Sequence, residues 1–214
     1  MAPIFTSENA YDALIAGPAK QYGVPASLVK ALIAHESQFQ PQAARFEGFD
    51  PSTTADDDSS RGLMQLLYKT ARDELGYKGS PDGLFDPAVN IPLGIRYLAL
   101  QRQRANGGWE EALSAYNGGY RPTLGFGRRA TEVLRVCLRR DAQGNCLQRR
   151  NVPVGEFSNQ PYVDAVMRYW AHFKESDPAP APAPPPAAIP QADGAGCGIV
   201  LFVLASSALW GMIA

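Results

Sequence analysis

The most informative part of the chain is VKALIAHESQF, residues 29–39, because it combines a helical apolar pattern with a carboxylate on the apolar side. Glu36 follows Val29, Leu32 and Ile33 by seven, four and three positions, so these side chains share one face of a helix. Lost solvation and the negative end of the helix dipole both raise the pKa of a carboxyl group placed there. Glu36 is therefore a candidate proton donor, although pairing with a buried arginine or capping a backbone amide would also explain its position.

The composition is that of a folded protein with one sizeable domain and appendages. The chain has 214 residues, of which 45% are hydrophobic and 19% charged, and its formal net charge is -1. This near balance argues against a nucleic-acid partner held by bulk electrostatics. One segment is nevertheless basic, and it suits either a solvated face or attraction to an anionic polymer or lipid surface. Its arginines are Arg128, Arg129, Arg135, Arg139, Arg140, Arg149 and Arg150.

The cysteines predict a small covalent loop and no metal site. Cys137 and Cys146 are close enough in sequence for a disulfide in an oxidising compartment, and two reduced thiols fit equally well. The chain has no CxxC pair, and only His35 and His172 could add imidazole ligands. We therefore expect neither a metal nor another cofactor.

The C-terminal part of the chain differs from the rest. Residues 198–214 carry no charge and are long enough to cross a bilayer as a helix, so we expect a transmembrane anchor over residues 195–214. A buried terminal hairpin or a subunit-contact helix is the alternative. Residues 177–194, rich in proline and alanine, form the expected linker, which leaves residues 1–176 for the globular domain. The N-terminus shows no signal-peptide pattern.

Helical periods and capping residues predict a mainly α-helical domain. A long loop is expected over residues 45–60. After residue 121 the pattern favours a small β-hairpin that brings Cys137 near Cys146, with an amphipathic helix over residues 130–140 as the alternative. The expected helices run from the Thr6 or Ser7 cap to Tyr22, from Pro25 through Leu28 to Ser37, from about Tyr68 to Leu75, from Asp86-Pro87 to about Arg104, from Trp109 to Tyr116 before a turn at Asn117-Gly118-Gly119, and from Pro161 onward.

Four motifs occur in a characteristic order, and a short fifth match follows them. They are Glu36-Ser37 with Phe39 and Pro41; Gly62-Leu63-Met64-Gln65 with Thr70-Ala71; Phe85-Asp86-Pro87 with Asn90-Ile91, Gly94 and Tyr97-Leu98; Ala115-Tyr116-Asn117-Gly118-Gly119; and Tyr162-Val163. In this order they resemble the soluble lytic transglycosylase family, whose goose-type lysozyme-like SLT domain belongs to the lysozyme superfamily. The resemblance covers residues 10–120 and resumes at residue 162. It implies a single lysozyme-like catalytic domain.

The resemblance also implies a reaction and residue roles. The family cleaves the β-1,4 bond between N-acetylmuramic acid and N-acetylglucosamine in peptidoglycan and forms a 1,6-anhydromuramoyl end. Glu36 matches its single catalytic acid, which donates a proton first and accepts one afterwards. The residues that match its substrate-binding positions are Ser37, Gln65, Tyr116, Asn117 and Tyr162. Each also has a purely structural reading, as a core aromatic or as a partner of backbone groups.

The chain departs from the family in ways that leave other functions open. Leu67-Tyr68 replaces the usual proline after Gly-Leu-Met-Gln, and residues 121–160 match no motif. The loop before Gly62 holds Glu47, Asp50 and three aspartates at 56–58, and any of them could supply the second carboxylate of a goose-type lysozyme-like hydrolase. A non-catalytic wall-binding or virion structural protein, anchored in a membrane, is a further alternative.

The expected location follows from the two ends of the chain. An anchor without a signal peptide favours a phage-encoded protein, held by its C-terminus in a virion membrane or facing the bacterial periplasm. The expected partners are peptidoglycan glycan strands and a membrane, with no nucleic acid.

Overall fold

The computed structural model describes residues 4–47, 54–140 and 145–174. The chain divides into two compact units, Met1–Pro178 and Ala179–Ala214, and only the first contains described residues. The expected linker and C-terminal anchor therefore lie outside the described residues. Among the residues described, no helix is both long enough and apolar enough to cross a membrane.

Six α-helices and two small sheets build the described part of the first unit. The helices are α1 Asp12–Tyr22, α2 Ala26–Ser37, α3 Tyr68–Asp73, α4 Pro87–Ala105, α5 Trp109–Gly118 and α6 Gln160–Lys174. The strands are β1 Ala44–Phe46, β2 Ser59–Arg61, β3 Leu66–Leu67, β4 Leu134–Arg140 and β5 Cys146–Val152. Short 3₁₀ turns cover Pro81–Phe85 and Pro122–Leu124. The expectation of a mainly helical fold is confirmed.

Helix α2 lies in the hydrophobic core. Its apolar side chains, including Leu28, Leu32 and Ile33, are fully buried, and α6 packs against it. The indole N–H of Trp170 on α6 donates to Ser27 Oγ at the start of α2, at 3.0 Å. Burial of large apolar side chains contributes about 1.5–3 kcal/mol each, so the helix that carries Glu36 is held firmly.

Two consecutive left-handed residues end α2 and redirect the chain. Gln38 has φ of 52° and Phe39 has φ of 61°, a conformation that costs energy for a bulky residue. Phe39 is 3% exposed, and its ring centroid lies 5.4 Å from that of Phe5 and 6.2 Å from that of Phe173. Core packing of Phe39 offsets the strain and fixes how the chain leaves the last turn of α2.

Helix boundaries follow local signals. The Asp86 carboxylate accepts from the Ala88 N–H at 2.8 Å and caps α4, and Gly23, with φ of 63°, ends α1, as the sequence predicts. Three predicted boundaries are wrong, and the first is the end of α3, which lies at Asp73 and not at Leu75. Helix α1 begins at Asp12, because residues 6–10 form turns, and α5 continues through Asn117 to Gly118 instead of stopping before a turn.

The prediction of a loop over residues 45–60 is wrong at both of its ends. Strand β1 pairs antiparallel with β2, with Arg45 opposite Ser60, and β2 pairs with β3 to complete a three-stranded sheet. Residues 48–53, which include Asp50, lie outside the described residues. The sheet brings acidic residues of this segment towards the C-terminal end of α2.

The predicted β-hairpin after residue 121 is confirmed, and the alternative helix over residues 130–140 is wrong. Strands β4 and β5 pair antiparallel, with Cys137 opposite Arg149. A small cluster of buried side chains, Ala130, Val136 and Val152, packs beneath the hairpin. Side chains alternate between the two faces along β4, and this alternation places Val136 on the buried face.

Asn90 on α4 ties together three segments that meet below Glu36. Its side chain is fully buried; Oδ1 accepts from the Met64 N–H at 2.8 Å, and Nδ2 donates to the carbonyls of Arg61 and Leu84 at 2.9 Å. The Asn90 side chain therefore helps to hold the Gly62–Gln65 loop in place.

We expect Asn90→Ala to lower the free energy of unfolding by about 2–4 kcal/mol, because it leaves buried backbone groups without partners. Asn9→Ala is the control, since Asn9 is exposed and, among the described residues, its side chain bonds to Lys30 alone; it should change the stability by less than about 0.5 kcal/mol. Chemical denaturation measures both values. Equal losses for the two variants would contradict the anchoring role of Asn90.

Candidate active site

Glu36 lies in the last turn of α2 and receives a hydrogen bond from α6. The Tyr162 hydroxyl donates to Glu36 Oε1 at 2.5 Å, although the two residues are 126 positions apart in the chain. Both side chains are half-buried. The contact between an acid and a phenol at the α2–α6 interface is the centre of the candidate site.

Burial raises the pKa of Glu36 to about 7, because the charged carboxylate loses solvation. The hydrogen bond from Tyr162 and the positive charge of Arg45 lower the pKa, and the negative charge of Glu47 raises it. Loss of solvation is the largest of these effects. Glu36 therefore exchanges its proton near neutral pH, as the sequence led us to expect.

Tyr162 is positioned by aromatic packing. The His35 ring meets the Tyr162 ring edge-on, with centroids 4.8 Å apart, and the Tyr169 ring lies on the same histidine at 6.5 Å. Burial, followed by the charge of Glu36, raises the pKa of Tyr162 well above its usual value. The Tyr162 phenol therefore remains a hydrogen-bond donor throughout the neutral range.

Tyr116 connects α5 to the Gly62–Gln65 loop. Its hydroxyl donates to the Met64 carbonyl at 2.7 Å, and its ring lies 5.1 Å from that of Tyr97. Burial and the charge of Glu36 raise the pKa of Tyr116 well above its usual value, which indicates that the phenol is close to the acid. Tyr116 thus supports the floor of the site and is itself buried.

Ser37 and Gln65 make contacts with the backbone. The Ser37 hydroxyl lies 2.8 Å from the Leu63 carbonyl and 3.1 Å from the Ile33 carbonyl, and Ser37 is only 6% exposed. Gln65 Nε2 donates to the carbonyls of Ala43 and Gly62 at 2.9 Å. Both side chains hold the loop against its neighbours, and the amide oxygen of the half-buried Gln65 is not used in these bonds.

Asn117 is the exposed member of the predicted set. Its Oδ1 accepts from Asn159 Nδ2 at 2.9 Å, and Asn159 is in turn held by Ser114, through the serine hydroxyl at 2.7 Å and the serine carbonyl at 3.0 Å. Sequence reasoning missed both partners. Ser114 precedes Asn117 by one helical turn and was detectable from that spacing, whereas no sequence signal points to Asn159.

The acidic residues of the segment before Gly62 are largely engaged. Asp56 pairs with Arg61 and Asp57 with Arg72, each at 2.6 Å. Glu47 Oε1 accepts from Arg45 Nε at 2.6 Å and from Ser60 Oγ at 2.7 Å. Glu47 directly follows β1, and its negative charge raises the pKa of Glu36. Arg45 and Ser60 had no assigned place in the site, whereas Glu47 was one of the candidate second carboxylates.

The two cysteines of the hairpin form a disulfide, Cys137–Cys146, which agrees with the oxidised alternative of the sequence analysis. Among the described residues, no group of three or more histidine, cysteine, aspartate or glutamate side chains is placed to hold a metal ion. The raised pKa of Glu36 and its bond from Tyr162 suit proton transfer.

Comparisons with known proteins agree with this geometry. A family model described as "Transglycosylase SLT domain" matches residues 13–132. The chain is 37% identical over 122 residues to membrane-bound lytic murein transglycosylase C of Yersinia enterocolitica, a stretch that covers 51% of this chain and 31% of that protein. This chain thus corresponds to about a third of that relative's length.

Two solved structures share the fold. The soluble lytic transglycosylase SLT70 of Escherichia coli is 23% identical, with a TM-score of 0.52, and the match covers 78% of this chain and 24% of that one. An inactive mutant of lytic transglycosylase Slt from Pseudomonas aeruginosa is 22% identical, with a TM-score of 0.51, over 80% of this chain and 25% of that one.

The raised pKa of Glu36 predicts a pH-dependent cost to stability. Below the unfolded pKa of 4.5 Glu36 is protonated in both states and adds no cost; the cost accumulates as pH rises from 4.5 and is complete above the folded pKa of about 7. We expect Glu36→Gln to match the wild type near pH 4 and to be roughly 3 kcal/mol more stable at pH 8, since one pKa unit is about 1.4 kcal/mol.

Denaturant unfolding at several pH values measures this difference. Glu132→Gln is the control, because Glu132 is exposed and its substitution should give no comparable trend. A stability difference between Glu36→Gln and the wild type that does not grow with pH would show that Glu36 is not buried as a neutral acid.

Proposed function

Because the chain belongs to the transglycosylase SLT domain family, we propose that it is a peptidoglycan lytic transglycosylase. It cleaves the β-1,4 bond between N-acetylmuramic acid and N-acetylglucosamine and leaves a 1,6-anhydromuramoyl end. The observation that carries the proposal is the buried Glu36 carboxyl, with a pKa of about 7 and a hydrogen bond from Tyr162. Such a group can donate and accept a proton within one catalytic cycle.

In the first step Glu36 acts as a general acid. Its proton moves to the glycosidic oxygen while the bond from that oxygen to C1 of the muramoyl sugar breaks. Tyr162 already donates to Oε1, so Oε2 is the oxygen that carries the transferable proton. The 2-acetamido oxygen of the substrate supports the positive charge that develops at C1.

In the second step the Glu36 carboxylate acts as a general base. It takes the proton from the C6 hydroxyl of the muramoyl sugar, and the C6 oxygen bonds to C1 and closes the anhydro ring. Glu36 ends the cycle protonated, and water is not consumed. The Tyr162 hydrogen bond stabilises the carboxylate between the two steps, since it favours the charged form.

The other residues position the sugars. We assign two groups to contacts with the glycan. One is the exposed side chain of Asn117, which Asn159 orients, and the other is the amide oxygen of Gln65, which has no partner among the described bonds. Ser37 and Tyr116 act mainly by fixing the Gly62–Gln65 loop. Ser37 also retains acceptor capacity on its hydroxyl, through which it can contribute to the muramoyl site.

A hydrolase that uses Glu47 as a second carboxylate is the second candidate. Its support is the effect of the Glu47 charge on the pKa of Glu36. Its weakness is that two donors, Arg45 and Ser60, already occupy Glu47 Oε1. A water molecule activated by Glu47 would have to bind at the other carboxylate oxygen.

We also propose, from the sequence alone, that residues 195–214 attach the enzyme to a membrane. The Yersinia enterocolitica relative is a membrane-bound lytic murein transglycosylase, which supports this proposal. A phage or virion origin remains a prediction from the sequence.

Product analysis tests the reaction. We expect digestion of purified peptidoglycan to release muropeptides with 1,6-anhydro ends, detected by mass spectrometry, and Glu36→Gln to reduce the rate about 10²- to 10⁴-fold. Glu47→Gln should keep anhydro products. If the wild type instead releases muropeptides with ordinary reducing ends, and Glu47→Gln no longer releases them, the protein is the hydrolase. If the wild type binds peptidoglycan without cleaving it, the protein is a wall-binding module.

The pH profile tests the role of Tyr162. Glu36 must be protonated for the first step, so kcat/KM should fall as pH rises above about 7. Tyr162→Phe removes a hydrogen bond that lowers this pKa, and the alkaline limb should therefore move to higher pH.

Tyr169→Phe is the matched control, because Tyr169 also packs on His35 and makes no described bond to Glu36. Its profile should follow that of the wild type. If the alkaline limb of the pH profile does not move in Tyr162→Phe, Tyr162 does not influence the pKa of Glu36.

A further inference from the structure

Residues 4–8 form a turn ahead of α1, which we call the N-terminal clip. The Glu8 side chain is buried, and its Oε2 accepts from the N–H groups of Ile4 and Phe5 at 3.0 and 3.2 Å. The Glu8 N–H donates to the Phe5 carbonyl at 3.3 Å. A carboxylate that accepts from two backbone amides fixes the turn. The clip precedes residue 13, where the match to the family model begins, so family membership assigns it no role.

The Phe5 ring packs on the chain segment that leaves α2 and also on α6. Its centroid lies 5.4 Å from that of Phe39 and 5.8 Å from that of Tyr169. Phe39 follows Glu36 by three positions. Tyr169 follows Tyr162 by seven positions, about two helical turns, and therefore shares its face of α6. The clip thus contacts both of the elements that place the acid and the phenol.

Ring contacts continue from the clip to the acid. The Tyr169 ring lies 6.5 Å from that of His35, and the His35 ring meets the Tyr162 ring edge-on at 4.8 Å. Tyr162 in turn donates to Glu36 Oε1 at 2.5 Å. A hydrogen bond weakens steeply when its geometry changes, and closely packed side chains transmit small displacements. A shift of the Phe5 ring is therefore felt at the Tyr162 hydroxyl.

The hydrogen bonds between α2 and α6 leave the Glu36 end of the interface dependent on this packing. Trp170 donates to Ser27 at the start of α2, which is the end remote from Glu36. In the last turn of α2, the described side-chain hydrogen bond to α6 is the one from Tyr162 to Glu36 itself. Aromatic packing at this end must therefore supply the precision that the bond needs.

We propose that the N-terminal clip is a positioning element of the active site, in which Phe5 holds the junction of α2 and α6 so that the Tyr162 hydroxyl stays in reach of Glu36. Its catalytic meaning rests on the proposed function. Phe5 acts through Phe39 and Tyr169, so it is a positioning residue and takes no part in the chemistry. The active site thereby includes a segment that lies ahead of the family-matched domain.

The pKa of Glu36 reports whether the Tyr162 bond is intact. NMR titration of the side-chain carboxyl carbons of isotopically labelled glutamate measures this pKa, and Glu36→Gln identifies the signal. Because the Tyr162 bond lowers the pKa of Glu36, we expect Phe5→Ala to raise it by at least about half of the rise found in Tyr162→Phe. Phe5→Tyr keeps an aromatic ring and should restore the wild-type value.

A double variant tests whether Phe5 acts through this bond. Substitutions that act through one interaction are not additive, so Phe5→Ala/Tyr162→Phe should have the same Glu36 pKa as Tyr162→Phe alone. Glu8→Ala frees the clip while it retains the Phe5 ring, and it should raise the Glu36 pKa in the same direction as Phe5→Ala. It also serves as the second variant if Phe5→Ala does not fold.

Val152→Ala is the control for a general loss of stability. Val152 is buried in the small cluster beneath the β4–β5 hairpin, so its truncation should lower the Tm and leave the pKa of Glu36 unchanged. The other groups whose charges interact with Glu36 are Arg45, Glu47 and Tyr116. All three stay intact in every variant of the test.

The outcomes distinguish this proposal from the proposed function. If the wild type cleaves no peptidoglycan, the proposed function fails, and the NMR titration still tests the clip. A Glu36 pKa in Phe5→Ala that equals the wild-type value would overturn the positioning role. A pKa that falls below the wild-type value would overturn it as well, because the clip would then only exclude water from the acid. A further rise in the double variant would show that Phe5 acts by some route other than Tyr162.

Discussion

The hydrogen bond from Tyr162 to Glu36 depends on the packing of α6 against α2, and the rest of the site is arranged around it. Burial in this interface raises the pKa of Glu36, and the phenol partly counteracts that rise. Neither effect is available in the unfolded chain, because the two residues are brought together only by tertiary structure. The acid is therefore a property of the helix–helix interface, and the apolar residues of α2 are as necessary to it as the carboxylate itself.

The floor of the site is held by side chains that bond to the backbone. Asn90, Tyr116 and Ser37 each bond to a backbone group of residues 63–64, so the loop before β3 has almost no freedom to move. Polar residues in a motif are easily assigned to substrate contacts. Here several of them satisfy backbone groups that an irregular buried loop leaves without helix or sheet partners.

What the sequence could predict depended on how local the cause was. Asp86, Pro87 and Gly23 act within a few residues, and the helix ends that they mark are confirmed. Strands of three residues such as β1 and β2 have no period of their own, so a pairing partner is needed to recognise them. The same reason hid Asn159 and the bond from Ser60 to Glu47, since the partners of both residues are distant in sequence.

Two charges next to the three-stranded sheet, those of Arg45 and Glu47, act on the pKa of Glu36. Arg45 and Glu47 act on the pKa of Glu36 in opposite directions and are bonded to each other, so their effects on that pKa oppose one another. Substitution of either alone would leave the other unbalanced beside the acid. A residue that must both give and take a proton gains from such a balance, because its pKa has to stay near the working pH for both steps. The β1–β2 hairpin thus bears on the pKa of Glu36 through the charges of Arg45 and Glu47.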